Sequence, residues 1–67
     1  MTNTQKNVII SLAENDMRVS SVAEHLNYHR NTIIFHIKRI NELYGLNPLR
    51  FYDLIQLLDM CELDKSE

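Results

Sequence analysis

Cysteine, glycine and proline each occur once in this 67-residue chain, and tryptophan not at all. The lone Cys61 has no internal partner, so no disulfide staples the fold. No apolar run approaches the roughly 18 residues that a membrane-spanning helix needs. No positively charged leader precedes an apolar segment, and a reduced, cytoplasmic protein is the expectation. Breakers are scarce and 45% of the residues are apolar, with no low-complexity tract and no internal repeat, so the chain reads as folded except at its ends. Its length allows one small domain, whose core is marginal without help from a partner.

What is present is a segregation of charge. The formal net charge is -2, an unpromising sum for a partner of nucleic acid. Residues 30–50, however, carry Arg30, Lys38, Arg39 and Arg50 against Glu42, a net +3. Residues 1–29 carry Lys6 and Arg18 against Glu14, Asp16 and Glu24, a net -1. Residues 51–67 set Lys65 against Asp53, Asp59, Glu62, Asp64 and Glu67, a net -4. A local basic stripe governs phosphate contact more than the total does, although the acidic end weakens long-range steering. The plain alternative is a solvated helix face with ordinary charges.

The periodicity predicts an all-α fold, a small domain of four helices at about 5–15, 21–26, 30–44 and 48–63. In the first, Val8, Ile9, Leu12 and Ala13 recur at helical spacing, with Thr4 available as N-cap. Met17, Arg18 and Val19 form the connection. Ser20 or Ser21 caps the short second helix; Ser21 and Glu24 have the spacing of a capping box, and Val22, Ala23 and Leu26 supply the buried stripe. Asn27 tolerates a positive φ and suits the tight turn that follows, with Tyr28 as its inward apolar plug. In the third helix Ile33, Ile37, Ile40 and Tyr44 share one stripe, flanked by Leu43. Asn31, Phe35, Lys38 and Glu42, flanked by Arg39, lie opposite. Gly45 fits a left-handed C-terminal cap with Leu46 packing back on Ile40, and Asn47-Pro48 restarts the chain into the fourth helix.

A short helix, a tight turn and a longer helix with an exposed polar and basic first half make a helix-turn-helix. The stretch VSSVAEHLNYHRNTIIFHIKRINELYGLNP resembles the C-terminal helix-turn-helix domain of bacterial PucR-type and sugar-diacid-type transcriptional regulators, whose pattern has the form A-x-x-L-x-V-H-R-N-T-L-x-Y-R-L-x-R-I-x-E-L-x-G. The run His29-Arg30-Asn31-Thr32 and the downstream Arg39-Ile40-x-Glu42-Leu43-x-Gly45 carry the likeness, which extends over most of the chain. The chain departs from the family at Ile34 and His36, where basic residues are frequent, and at Phe35, where tyrosine is. The resemblance implies a domain that binds double-stranded DNA in transcriptional regulation, with His29, Arg30, Asn31 and Thr32 opening the recognition helix.

The side chains support such roles on their own chemistry. Arg30 can fork to guanine or grip phosphate, Asn31 can pair with adenine, and Thr32 can bond phosphate or touch a thymine methyl. Phe35 can meet a thymine methyl, while Lys38 and Arg39, further along, suit phosphates that set position without reading sequence. Each has a purely structural alternative: Asn31 and Thr32 as helix caps, His29 as a cap or turn filler, Phe35 as a ring rolled against a neighbouring helix. The rival function is a helical interaction module that keeps the fold without reading DNA.

Catalysis, a metal or a cofactor is not expected. His25 and His29 straddle the turn, which breaks the geometry of a shared ligand pair; Cys61 reads as a small buried hydrophobe; and there is no glycine-rich phosphate loop. The fourth helix is the remaining anomaly, being apolar on more sides than one neighbour covers. Phe51, Leu54, Ile55, Leu58 and Cys61 form the stripe expected to close the core, while Leu49, Tyr52, Met60 and Leu63 fall on the opposite side. That second side is expected to meet another copy of the chain, giving a homodimer, or a neighbouring domain of a longer regulator.

Overall fold

The computed structural model describes the backbone of residues 1–65 and the side chains of residues 1–62. Among them the chain forms four helices and no strand: α1 (Asn3–Glu14), α2 (Val19–Leu26), α3 (Arg30–Tyr44) and α4 (Phe51–Lys65). The all-α expectation holds, and α3 has the bounds its periodicity predicts.

The other starts are set by chemistry that the apolar pattern does not carry. Helix α1 opens on Thr2, not Thr4: the Thr2 hydroxyl accepts from the Gln5 backbone N–H (3.1 Å) and the Gln5 side-chain oxygen accepts from the Thr2 N–H (3.0 Å). Gln5 stands three residues after Thr2, the spacing that lets both orphan donors be satisfied at once, and Thr4 has no such partner. For α2 neither Ser20 nor Ser21 is the cap. The chain enters that helix at Val19, which packs against the core, so both serines lie inside it and the expected Ser21–Glu24 box does not form; Arg18 is the N-cap residue and its side chain makes no capping bond. Pro48 sits in a turn and not in the first turn of α4. The Asn47 carbonyl accepts from Arg50 N–H, the Asn47 side chain accepts from Leu49 N–H (2.9 Å), and the Asp53 carboxylate reaches back to the Asn47 N–H (3.0 Å). Asparagine first and proline second is a favoured turn order, and it delays the helix to Phe51.

Three helix ends use left-handed residues, though the chain has only one glycine to give. Asp16 (φ 54°) and Met17 (φ 60°) end α1, Asn27 (φ 60°) ends α2 and Gly45 (φ 67°) ends α3. After α1 the Met17 N–H bonds the Leu12 carbonyl, and after α2 the Tyr28 N–H bonds the Ala23 carbonyl, each reaching back five residues; Gly45 N–H reaches back four, to Asn41. These closures satisfy carbonyls that the helix itself leaves open.

The core joins Val8, Ile9 and Leu12 of α1, Val22 and Ala23 of α2, Ile33, Ile37 and Ile40 of α3, and Leu54, Leu57 and Cys61 of α4. Helix α1 is the hub: α1, α2 and α3 pack pairwise on one another, whereas the α4 backbone approaches α1 alone. The Cα radius of gyration, 10.8 Å, matches the roughly 11 Å of a chain this long folded on one core. Buried Ser11 joins α1 to α2, its hydroxyl lying 2.9 Å from His25 Nδ1 and accepting from Asn15 Nδ2 at 3.1 Å.

Helix α4 is rotated from the expected orientation. Leu54, Leu57 and Cys61 are buried, Leu58 is half-buried, and Phe51 (60% exposed) and Ile55 (40%) stay outside. Docking on one neighbour leaves a narrow seam, which positions 54, 57 and 61 fill; Leu57 takes the place given to Phe51 and Ile55. On the side expected to be free, Tyr52 and Leu49 are exposed, but Met60 packs partly against the core. The side chain of Leu63 lies outside the described residues.

Candidate nucleic-acid interface

The turn between α2 and α3 occupies three residues and determines which way α3 faces. Asn27 takes the left-handed conformation, its N–H bonded to the Ala23 and Glu24 carbonyls, and His29 is extended (φ -67°, ψ 148°). Tyr28 is not the buried plug that its ring suggests; it is 42% exposed. The Ala23–Tyr28 backbone bond closes the turn without a plug, leaving the ring to lie outside along α3. His29 is the N-cap residue of α3 through its carbonyl, which accepts from Thr32 and Ile33 N–H; its side chain makes no capping bond and is exposed.

From that start the 3.6-residue repeat sorts α3 into two faces. Ile33, Ile37 and Ile40 are buried. Arg30, Asn31, Phe35, Lys38, Arg39 and Glu42 are exposed, and Thr32 is half-buried between the faces. Asn31, Phe35, Lys38 and Glu42 follow each other at three- and four-residue steps, so an amide, a ring, an ammonium and a carboxylate form one outward row with the Arg39 guanidinium beside it. None of Arg30, Asn31, Thr32, Lys38 or Arg39 takes a hydrogen bond or ion pair from its side chain to another described residue. Asn31 and Thr32 do not serve as caps, and Phe35, 61% exposed, does not roll onto another helix. What the row offers is offered outward.

The electrostatics favour an anion on this side. No acidic residue occupies the first turn of α3, so its positive dipole end and its open N–H groups are uncompensated, with the Arg30 charge added to them. Arg18, exposed at the start of α2, has no side-chain bond to that helix's own N–H groups. Of the residues proposed from sequence, Asn31, Phe35 and Lys38 share the outward row with Arg39 beside it, Arg30 and Thr32 lie at the start of α3 on either side of it, and His29 is on the turn. Sequence reasoning noted His36 only as a departure from the family and misplaced Tyr28: His36 stands four residues after Thr32, which puts it to the side of the outward row, beside Phe35.

The aromatic rings and the isoleucine at the start of α4 leave a second exposed surface. Phe51, Tyr52 and Ile55 are open to solvent, with the Phe51 and Tyr52 rings edge to face at 5.5 Å. No described helix is long and apolar enough to cross a membrane.

Compared with known proteins, the sequence matches the family described as the PucR C-terminal helix-turn-helix domain over residues 8–62. That span takes in most of α1, the whole of α2, the turn and α3, and α4 up to Glu62. No curated protein and no solved structure gave a significant match. The fold, the two helices meeting at Asn27 and the matched span agree: the chain belongs to the family of PucR C-terminal helix-turn-helix domains, a class of DNA-binding domain in transcription regulators.

Proposed function

We infer that the domain binds double-stranded DNA sequence-specifically, with α3 in the major groove and α2 lying across the backbone. The observation that carries this reading is the outward row of α3, whose polar and cationic side chains have no partner among the described residues while the opposite row is spent on the core. Arg30 and Asn31 read base edges, Thr32 and Phe35 take a phosphate oxygen or a thymine methyl, and Lys38 and Arg39 grip phosphates. To these we add Arg18, exposed at the start of α2, as a phosphate contact. His29 contributes through the turn it closes, and base contact by its ring is secondary.

The reading includes pairing. Half-sites of helix-turn-helix proteins lie about one duplex turn apart, which a two-fold pair of domains spans. The exposed apolar surface of Leu49, in the turn before α4, and of Phe51, Tyr52 and Ile55, on α4, supports self-association there. Of the residues expected on that side, Met60 lends only its edge. In a longer regulator a neighbouring domain takes that place.

Anisotropy of a labelled duplex across a salt series tests the reading. Affinity should fall steeply with salt, since each neutralised phosphate contributes a slope of about -0.9 in log K against log salt. Arg30→Ala and Asn31→Ala should relax sequence preference by about 1–3 kcal/mol per lost base contact, whereas Lys38→Ala and Arg39→Ala should weaken all duplexes alike and reduce the slope by roughly one each. A folded protein that binds no duplex at low salt, at concentrations where it pairs, is an interaction module instead.

A further inference from the structure

Three rings lie side by side on the outer surface of the turn and α3. The centroids of Tyr28 and His36 are 6.2 Å apart with planes inclined by 47°, and those of His36 and Phe35 are 5.4 Å apart at 69°, edge to face. Both separations fall within the range over which aromatic pairs attract. His36 therefore bridges the other two rings, holding Phe35 on one side while 61% of that residue remains open.

A fixed, bare hydrocarbon ring has one complementary group in the major groove. The base edges there are hydrogen-bond donors and acceptors, which a phenyl ring cannot satisfy, and the exception is the C5-methyl of thymine. Position along the groove follows from the helix. Phe35 lies four residues beyond Asn31 on the same row, about 6 Å along the axis at about 1.5 Å per residue. Base pairs stack about 3.4 Å apart along the duplex axis and the groove runs obliquely to that axis, so the ring falls about one to two base pairs from the pair that Asn31 addresses.

We propose that Phe35, held by His36 and Tyr28, is a methyl-reading plate that selects a thymine about one to two base pairs from the adenine facing Asn31. Phe35 makes the contact; His36 and Tyr28 are positioning residues. The proposal rests on the DNA-binding reading given above and adds to it a chemical class of base and a register.

The experiment selects a bound duplex from a random pool and then replaces each thymine singly by deoxyuridine, which keeps every hydrogen-bonding group and lacks only the methyl. One position should lose affinity about four-fold, the worth of one buried methyl group. With Phe35→Ala that position should become indifferent to the replacement, and with His36→Ala or Tyr28→Ala the penalty should shrink without vanishing. These side chains lie outside the core, and circular dichroism confirms that the variants fold. Uniform indifference to deoxyuridine, a penalty that survives Phe35→Ala unchanged, or a selected site with no thymine within about three pairs of the adenine overturns the methyl-reading proposal and leaves DNA binding standing. Failure to bind any duplex overturns both.

Discussion

Ser11 shows how little a buried polar contact contributes when its partners have other recourse. Its hydroxyl is buried and links Asn15 to His25 across the α1–α2 packing. In Ser11→Ala, Asn15 keeps its 2.8 Å bond to the Ser11 carbonyl, and His25, which is exposed, turns to water. The loss should be about 1 kcal/mol, the net value of one hydrogen bond, because no desolvated group is stranded. Leu57 is the contrast. Fully buried where α4 meets the core, it should cost about 2–5 kcal/mol as Leu57→Ala, transfer and cavity terms together. Urea denaturation measures both, and an unchanged m-value certifies that stability alone has moved. A Ser11 variant as damaging as the Leu57 one would mean that the α1–α2 packing depends on that bond.

At the level of helices and turns, conformational strain is spread unevenly. Gly45 is left-handed and faces open space, with nothing within 4 Å of where a Cβ would stand. Gly45→Ala therefore isolates the backbone term and should destabilise by about 1 kcal/mol. Asp16 has the same handedness without being glycine, so Asp16→Gly should stabilise by about 0.5 kcal/mol, the relief of strain less the added entropy of the unfolded chain. Opposite signs in the two melting shifts are the expected outcome. These ends also mark what the sequence makes legible. The left-handed roles of Asn27 and Gly45, the bounds of α3 and its buried isoleucines follow from residue type and period, and with them the whole outward row. The left-handed Met17 does not, because methionine does not favour that conformation; the α1 closure imposes it by bonding Met17 N–H to the Leu12 carbonyl, with the more tolerant Asp16 left-handed beside it. The start of α4 and its buried seam were equally hidden: one depends on Asp53 reaching back to Asn47, the other on how few helices α4 meets. The Tyr28–His36–Phe35 row crosses the turn, where a helical repeat does not apply.

Over the whole molecule, polarity separates by place: the cations of α3 point out on one helix, and exposed rings with acidic neighbours occupy α4. Sedimentation equilibrium tests whether that second surface pairs domains. The wild type should associate, and Tyr52→Asp should shift the equilibrium toward monomer while leaving folding intact, since Tyr52 is 78% exposed. A wild type monomeric to about millimolar concentration, where even a pairing worth about 4 kcal/mol would show, removes self-association and leaves the surface to a neighbouring domain. The hub arrangement described above carries a dynamic consequence. Three helices close a triangle of mutual contacts, and the fourth is attached along one edge. Releasing α4 breaks one packing seam, whereas releasing α2 or α3 breaks two and releasing α1 breaks three. In amide hydrogen exchange α4 should then be released as a unit of its own, below the free energy of global unfolding. During such openings α1 loses the cover that α4 gives it while the turn at Asn27 keeps its backbone bonds, so the reading surface outlives the helix that shields the core from behind.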